Sequence, residues 1–185
     1  YTTLFRSPRN SAVPADCRIT PIFEDIEWKD YSEWILKNLV NYVSTDFALC
    51  AQWDSCIIDP TMWDDRFLEY DYIAPPWAFD SINRVGCGGW SLRSRKLLEL
   101  CSVLPYTKTG NKELDNEDYR FCITHYQHMV DNGIKFAPLE LARKFGVEHP
   151  IPEAPHRYND LSTYKSFGFH SEYCTAGMGY LNDNS

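Results

Sequence analysis

The sequence predicts a mixed α/β domain. Apolar, strand-like runs alternate with helical patterns along the chain, which is typical of layered α/β architectures. The 185 residues are 44% hydrophobic, enough for one domain with a sizeable core. Phe47–Ala51 is a wholly apolar run bounded by polar residues, as in a buried central strand. Because no repeat or low-complexity linker divides the chain, we expect one domain over residues 1–185.

Segments with helical sequence patterns precede and follow this strand along the chain. Asp30 and Glu33 form a capping-box pattern ahead of an apolar stripe, so we expect a helix there. Ser94 predicts the start of a second helix that stops at Pro105. Residues 1–18 contain prolines and scattered polar residues, and we expect them to be irregular.

The second half of the chain continues the alternation. Asn116 predicts the start of a long helix from Glu117 to about Asn132. The remaining predicted elements are a strand at 134–137, a helix at 139–145, a strand at 147–149 and an apolar, strand-like segment at 167–170.

Composition excludes several functional classes. Aromatic residues make up 15% of the chain, which argues against disorder. The net charge of -8 disfavours nucleic acid and anionic membrane surfaces as partners. No apolar run is long enough for a membrane span. Seven cysteines without a CxxC pair predict reduced, unpaired thiols of a cytoplasmic protein, and argue against a disulfide framework or a structural zinc site.

Asp54 is the first candidate functional residue, because it comes shortly after the predicted strand 47–51. Ligands of open α/β sheets bind at the carboxyl ends of strands. Asp59, Asp64 and Asp65 add negative charge nearby, and oxygen ligands of this kind suit Mg²⁺ or Mn²⁺. The alternative is that Asp54 only caps the following turn.

Two later positions carry further ionisable groups. Glu117 and Asp118 open a predicted helix, where one of them could serve as a general base, although acids favour this position for dipole reasons alone. His170 ends the apolar segment and could supply an imidazole nitrogen to a metal, or could be an ordinary packed histidine. Because Asp54 and His170 both end strand-like segments, we expect them to converge on one metal ion.

A glycine segment separates these candidates. Gly86, Gly88 and Gly89 fall within four residues, which permits close approach of a ligand to the backbone or simply a tight bend. The segment lacks the Gly-Lys-Ser/Thr of a P-loop and the surroundings of a dinucleotide fingerprint.

Longer motifs carry a family resemblance. Residues 64–77 fit Asp-x-x-Phe-Leu-x-Tyr-Asp-Tyr-Ile-x-x-Pro-Trp, and residues 86–95 fit Gly-x-Gly-Gly-x-Ser-Leu-Arg-Ser-Arg. Over about 31–171 the chain resembles a family of GT-A-type glycosyltransferases, most of which are uncharacterised. The other matching motifs are Gln52-x-Asp54, Glu117-Asp118, Lys135-Phe136-Ala137-Pro138, Glu140-x-Ala142 and Phe167-Gly168-Phe169-His170.

The resemblance implies a fold and an activity. The fold would be a GT-A-like, Rossmann-like mixed sheet flanked by helices, here without its first strand and helix and therefore N-terminally incomplete. The activity would be metal-dependent transfer of a sugar from a nucleotide-sugar donor to an acceptor hydroxyl, with inversion. The alternatives are a degenerate module that binds a glycan or nucleotide sugar without turnover, and a nucleotidyltransferase.

The same resemblance assigns roles to residues. Asp54 and His170 would hold Mn²⁺ or Mg²⁺, and Asp118, in preference to Glu117, would be the general base. The expected substrate-binding residues are Gln52, Trp77, Gly88, Gly89 and Trp90.

The chain departs from the family pattern in two places. Ala74-Pro75 stands where we expect Gly-Ala, and in the glycine segment Cys87 and Trp90 stand where we expect Asn and Phe. Because an amide is lost at Cys87, we expect a different acceptor or donor preference.

Overall fold

The chain folds as a mixed α/β structure, as the sequence predicts. The computed structural model describes residues 2–5, 26–158 and 160–171. Strands and helices, numbered here in chain order, alternate around a main core of apolar side chains. Among the described residues, no helix has the length and apolar character needed to cross a membrane.

A four-stranded sheet forms around the predicted central strand. Strand β2 has the predicted bounds, Phe47–Ala51, and pairs antiparallel with β5, Trp90–Ser94. Strand β4, Tyr72–Ile73, lies antiparallel on the far side of β5, and β1, Thr2–Phe5, lies parallel to β2 at the other edge. The order is therefore β1-β2-β5-β4.

Strand β1 corrects the prediction of irregular structure at residues 2–5, and the rest of the predicted segment 1–18 lies outside the described residues. Its Thr-Thr-Leu-Phe sequence contains the β-branched and aromatic residues that strands favour. The edge of β2 supplies backbone partners for it, which is a tertiary effect that local composition does not reveal.

A second, three-stranded sheet places the last described residues beside the turn that follows β2. It has the order β3-β7-β6, formed by Ser55–Ile57, Gly168–His170 and Gly146–Val147. Strand β3 is antiparallel to β7, with Ser55 opposite His170, and β6 is parallel to β7. This register places His170 beside the turn that follows β2.

The helices partly follow the predicted bounds. Helix α1, Trp28–Asn38, begins before the predicted capping box, so Asp30 lies in its first turn and pairs with Lys108 instead of capping. Helix α2, Arg95–Val103, starts as predicted, with the Ser94 hydroxyl accepting a hydrogen bond from the Leu97 N–H. The predicted helix over 139–145 is present as α5, Leu139–Phe145.

The long helix predicted from Glu117 to about Asn132 is interrupted. It divides into α3, Glu117–Tyr119, a π-type turn over Arg120–Thr124, and α4, Tyr126–Asp131. The N–H of His125 donates back to the carbonyl of Arg120, five residues earlier, which widens the turn. Packing of the buried Phe121 ring against Tyr72 accompanies this distortion, and helical periodicity does not encode it.

Two predicted strands are shorter than expected. Over 134–137 only Phe136 forms a bridge, parallel to Tyr72. The strand predicted at 147–149 is β6, Gly146–Val147, so Glu148 follows a strand instead of lying within one.

The cysteines within the described residues are free thiols, as predicted. Cys50, Cys87, Cys101 and Cys122 are buried, whereas Cys56 on β3 is only half-buried. Cys17 and Cys174 lie outside the described residues.

Candidate functional site

A large cavity lies where β2 ends and β5 begins. Its volume is about 940 Å³, and it is open to solvent. Because β2 and β5 are antiparallel, Gln52 after β2 and the glycine segment before β5 meet at one edge of the sheet, where the Gln52 N–H donates to the Gly89 carbonyl at 2.8 Å. Both residues line the cavity, and so do His170 and Asp118.

The two acids at the start of α3 have different surroundings. Glu117 forms a 2.9 Å ion pair with Arg93 of β5, and the side chains are only 7% and 3% exposed. Arg93 also donates to the Gly88 carbonyl and to the Ser91 hydroxyl. Because a buried guanidinium needs a counter-charge, Glu117 is committed to Arg93 and stabilises the join between α3 and β5.

Asp118 is held at the cavity wall by backbone donors. Its Oδ2 accepts a hydrogen bond from the Gly88 N–H at 2.7 Å, and its Oδ1 accepts one from the Tyr119 N–H at 2.7 Å. Burial and the neighbouring Glu117 charge raise the pKa of Asp118 to about 7, although the two N–H donors oppose this shift. A carboxyl group with a pKa near neutrality is suited to proton transfer.

Asp54 and His170 lie close together as predicted, whereas their binding of a common metal ion stays a prediction. The antiparallel pairing of β3 with β7 brings Nε2 of His170 to 3.3 Å from Oδ1 of Asp54 and to 3.3 Å from Oε1 of Gln52. The Ser171 N–H also donates to the Asp54 carbonyl. Asp54 is only 9% exposed and does not line the cavity, so it lies behind the imidazole.

The opposite edge of the imidazole contacts two residues that sequence reasoning missed. Nδ1 of His170 lies 3.0 Å from Sγ of Cys87 and 3.2 Å from Oε1 of Glu148. Burial lowers the pKa of an imidazole, but the contacts with Cys87, Asp54 and Glu148 raise the pKa of His170 well above its ordinary value. Burial raises the pKa of the Cys87 thiol to about 12.

The sequence held only weak signals for these two residues. Cys87 lies inside the glycine segment, which already stood out as a place of close approach. Glu148 directly follows β6, and the parallel pairing of β6 with β7 places it beside His170. An acid after a strand was the signal that identified Asp54, and it would have identified Glu148 if the strand had been predicted to end at Val147.

Two adjacent glycines allow these groups to approach the backbone. A Cβ on Gly89 would overlap the imidazole ring of His170, and a Cβ on Gly88 would overlap Oε1 of Glu117. Packing therefore requires glycine at both positions, and the same two residues form part of the cavity wall.

The two tryptophans predicted to bind substrate lie in different places. Trp77 lines the cavity and stacks on Phe79 with ring centroids 5.0 Å apart. Trp90 is buried in the core, donates its indole N–H to the Phe145 carbonyl and does not line the cavity. The prediction that Trp90 binds substrate is therefore wrong. Its position on β5 directs the indole ring into the core, where it packs against Gly146 and Gly168.

The two predicted metal ligands, Asp54 and His170, lie beside Gln52, which the resemblance assigns to substrate binding. The oxygen atoms of Asp54 and Gln52 are of the kind that Mn²⁺ and Mg²⁺ prefer, and His170 would add one nitrogen ligand. Two neighbouring ligands of one octahedral ion at 2.0–2.2 Å are about 3 Å apart. The 3.3 Å separations from Nε2 to Oδ1 and Oε1 are close to that value.

Comparison with known proteins identifies a family but no activity. No curated protein matches the chain. A family model described as "Protein of unknown function (DUF5672)" matches residues 21–170, which include every candidate site residue named above. The chain therefore belongs to the DUF5672 family.

Proposed function

We propose that the protein is a glycosyltransferase that moves a sugar from a nucleotide-sugar donor to an acceptor hydroxyl with inversion. The proposal depends on the position and environment of the Asp118 carboxyl group. Its carboxyl group lies on the wall of a large cavity, is oriented by two backbone N–H groups, and has a pKa raised to about 7. It can therefore take a proton from a bound hydroxyl at neutral pH.

The chemistry assigned to Asp118 is a single displacement. Asp118 accepts the acceptor's proton as the acceptor oxygen forms a bond to the anomeric carbon. The bond from that carbon to the diphosphate breaks, and the nucleoside diphosphate leaves with the electron pair. Each Asp118 oxygen uses one lone pair on a backbone N–H and keeps another for the incoming hydroxyl.

The lining of the cavity offers a contact surface for a sugar ring. The stacked pair of Trp77 and Phe79 offers a flat apolar surface for a sugar ring. Lys29, Lys108 and Lys112 are exposed at the same cavity, but Lys29 pairs with Glu27 and Lys108 pairs with Asp30. The described part of the lining also carries five acidic residues, Glu113, Asp115, Glu117, Asp118 and Glu148, so a diphosphate would need a bound cation beside it.

A divalent cation completes the proposal. Asp54, Gln52 and His170 would hold Mn²⁺ or Mg²⁺. The ion, when bound, would supply positive charge that stabilises the departing diphosphate.

A second candidate function is a module that binds a glycan or nucleotide sugar without turnover. The buried position of Asp54 favours it, because a ligand behind the imidazole is poorly placed to reach a diphosphate in the cavity. Gln52 also stands where a metal-binding motif would usually carry a second acid.

A screen of common nucleotide sugars with Mn²⁺ tests the proposal. We expect one donor to be hydrolysed slowly, with release of a nucleoside diphosphate, and to be consumed faster with its acceptor. Binding of a donor without any turnover would indicate the binding module, and release of pyrophosphate would indicate a nucleotidyltransferase.

A further inference from the structure

Three side chains of types that can bind metals, two of them in contact with Nδ1 of the third, His170, lie together at the cavity. Sγ of Cys87, Oε1 of Glu148 and Nδ1 itself come from three different parts of the fold: the loop before β5, the residue after β6 and the end of β7. A ligand atom from each lies within 4.8 Å of the other two. All three residues also line the cavity, so a ligand bound among them would face solvent on one side.

The donor set favours a thiophilic ion. Sulfur, imidazole nitrogen and carboxylate oxygen are the three ligand types of Zn²⁺, whereas Mn²⁺ and Mg²⁺ prefer oxygen. A tetrahedral zinc ion with bonds of 2.0–2.3 Å separates its ligand atoms by roughly 3.3–3.6 Å. The 3.2 Å nitrogen–oxygen separation is close to this range, and the 3.0 Å sulfur–nitrogen separation needs to open by about half an ångström.

The other edge of the imidazole supplies the support that a zinc ligand needs. A histidine that binds zinc through one nitrogen usually donates its other ring N–H to a carboxylate, which fixes the orientation of the ring. Nε2 of His170 lies 3.3 Å from Oδ1 of Asp54, and the close approach of Gly89 restricts the ring on its face. Asp54 is therefore placed to orient the ligand from behind.

We propose that Cys87, Glu148 and His170 form a three-ligand Zn²⁺ site whose fourth position is open to the cavity, with Asp54 as its positioning residue. Zinc binding displaces two protons to solvent, the thiol proton of Cys87 and the Nδ1 proton of His170, and leaves a thiolate and a neutral imidazole as ligands. The charges of the thiolate and the Glu148 carboxylate then balance the charge of the ion, which suits a mostly buried site.

This inference does not depend on the proposed transferase activity. A neutral imidazole has one unprotonated nitrogen, so His170 can bind zinc at Nδ1 or a hard cation at Nε2, but not both at once. The two sites therefore describe alternative occupancies of one cluster, and metal preference distinguishes them.

Titration of the reduced, metal-free full chain tests the site, with Co²⁺ as the spectroscopic probe and Zn²⁺ measured by competition with a chromogenic chelator. We expect one equivalent to bind with the absorption of thiolate-to-cobalt charge transfer. Cys87→Ser should abolish that absorption, and Glu148→Gln should weaken Zn²⁺ binding at least about tenfold. Asp54→Asn should keep the absorption and weaken binding by about 10–100-fold. Cys56→Ser, at a half-buried thiol outside the cluster, is the matched control.

Two results would overturn the proposal. One is a charge-transfer absorption that persists in Cys87→Ser, because another thiol would then be the ligand. The other is normal Zn²⁺ binding by Glu148→Gln together with complete loss in Asp54→Asn, because the ion would then lie at Nε2. Thermal unfolding of the metal-free variants checks their folds, and Glu148→Gln decides the question if Cys87→Ser does not fold.

Discussion

The backbone N–H of Gly88 donates a 2.7 Å hydrogen bond to Oδ2 of Asp118, and this contact ties the candidate base to the glycine segment. Glu117, the adjacent acid, faces Arg93 instead. One helix start therefore carries a carboxylate committed to a buried ion pair and another that is turned to the cavity.

Asp118 should give the protein a distinctive dependence of stability on pH. The folded protein keeps the Asp118 proton up to about pH 7, whereas an unfolded aspartate loses it near pH 4. Between these values the folded state binds more protons, so its stability falls as pH rises. Asp118→Asn removes this titration, and urea unfolding at pH 5 and pH 8 should show a smaller loss in the variant. Equal losses in the two proteins would mean that the pKa of Asp118 is not raised.

We expect Glu117 to contribute to the stability of the fold and not to the chemical step. Glu117→Ala leaves the Arg93 charge buried without its partner, and we expect a loss of about 3–5 kcal/mol in the free energy of unfolding. Glu113→Ala, at an exposed acid near the same helix, should change stability by less than about 0.5 kcal/mol. Denaturant titration measures both. A fully stable Glu117→Ala variant would contradict the structural role assigned to this residue.

Gly89→Ala should displace His170, because the added Cβ would overlap the imidazole ring. The contacts with Asp54 and Cys87 would then weaken, and the pKa of His170 should fall toward its ordinary value. Side-chain NMR of the histidines across a pH series measures this. Gly110→Ala is the control: its Cβ meets no atom within 4 Å, although its φ of +80° strains an alanine. An unchanged His170 titration in Gly89→Ala would show that the ring does not depend on Gly89.

Phe79 should contribute to ligand affinity more than to stability. Its side chain is 46% exposed at the cavity and stacks on Trp77. Phe79→Ala should weaken binding of the donor found by the screen by about 3- to 10-fold, the range of one aromatic contact. Ile82→Ala, at a 64% exposed residue outside the cavity lining, should leave the affinity unchanged. Calorimetric titration compares them, and equal affinities for both variants would place the sugar elsewhere.

The sequence predicts those elements whose ends are determined by nearby residues. Strand β2, Phe47–Ala51, follows from its apolar run, and helix α2 follows from the Ser94 cap. Strand β1 and the interruption at His125 depend on pairing and packing partners elsewhere in the chain, so no local pattern identified them.

The candidate site was predictable only in part. The structure confirms that Asp54 and His170 lie close together, although Asp54 lies in the turn between β2 and β3 and meets His170 through the β3–β7 pairing. Glu148 and Cys87 reach the same imidazole through the β6–β7 pairing and the glycine segment. The prediction that Trp90 binds substrate is wrong because β5 is buried on both faces, and the sequence does not distinguish such a strand from one that lines a cavity.

The most direct test of the central claim is the transfer rate of Asp118→Asn with the donor identified by the screen, measured alongside donor affinity. Asparagine keeps the shape of the side chain and removes its basicity, so transfer should fall by about 10²–10⁴-fold while donor affinity stays nearly intact. Transfer by Asp118→Asn at the rate of the unaltered protein, with stability and donor affinity also unchanged, would contradict the assignment of Asp118 as the general base.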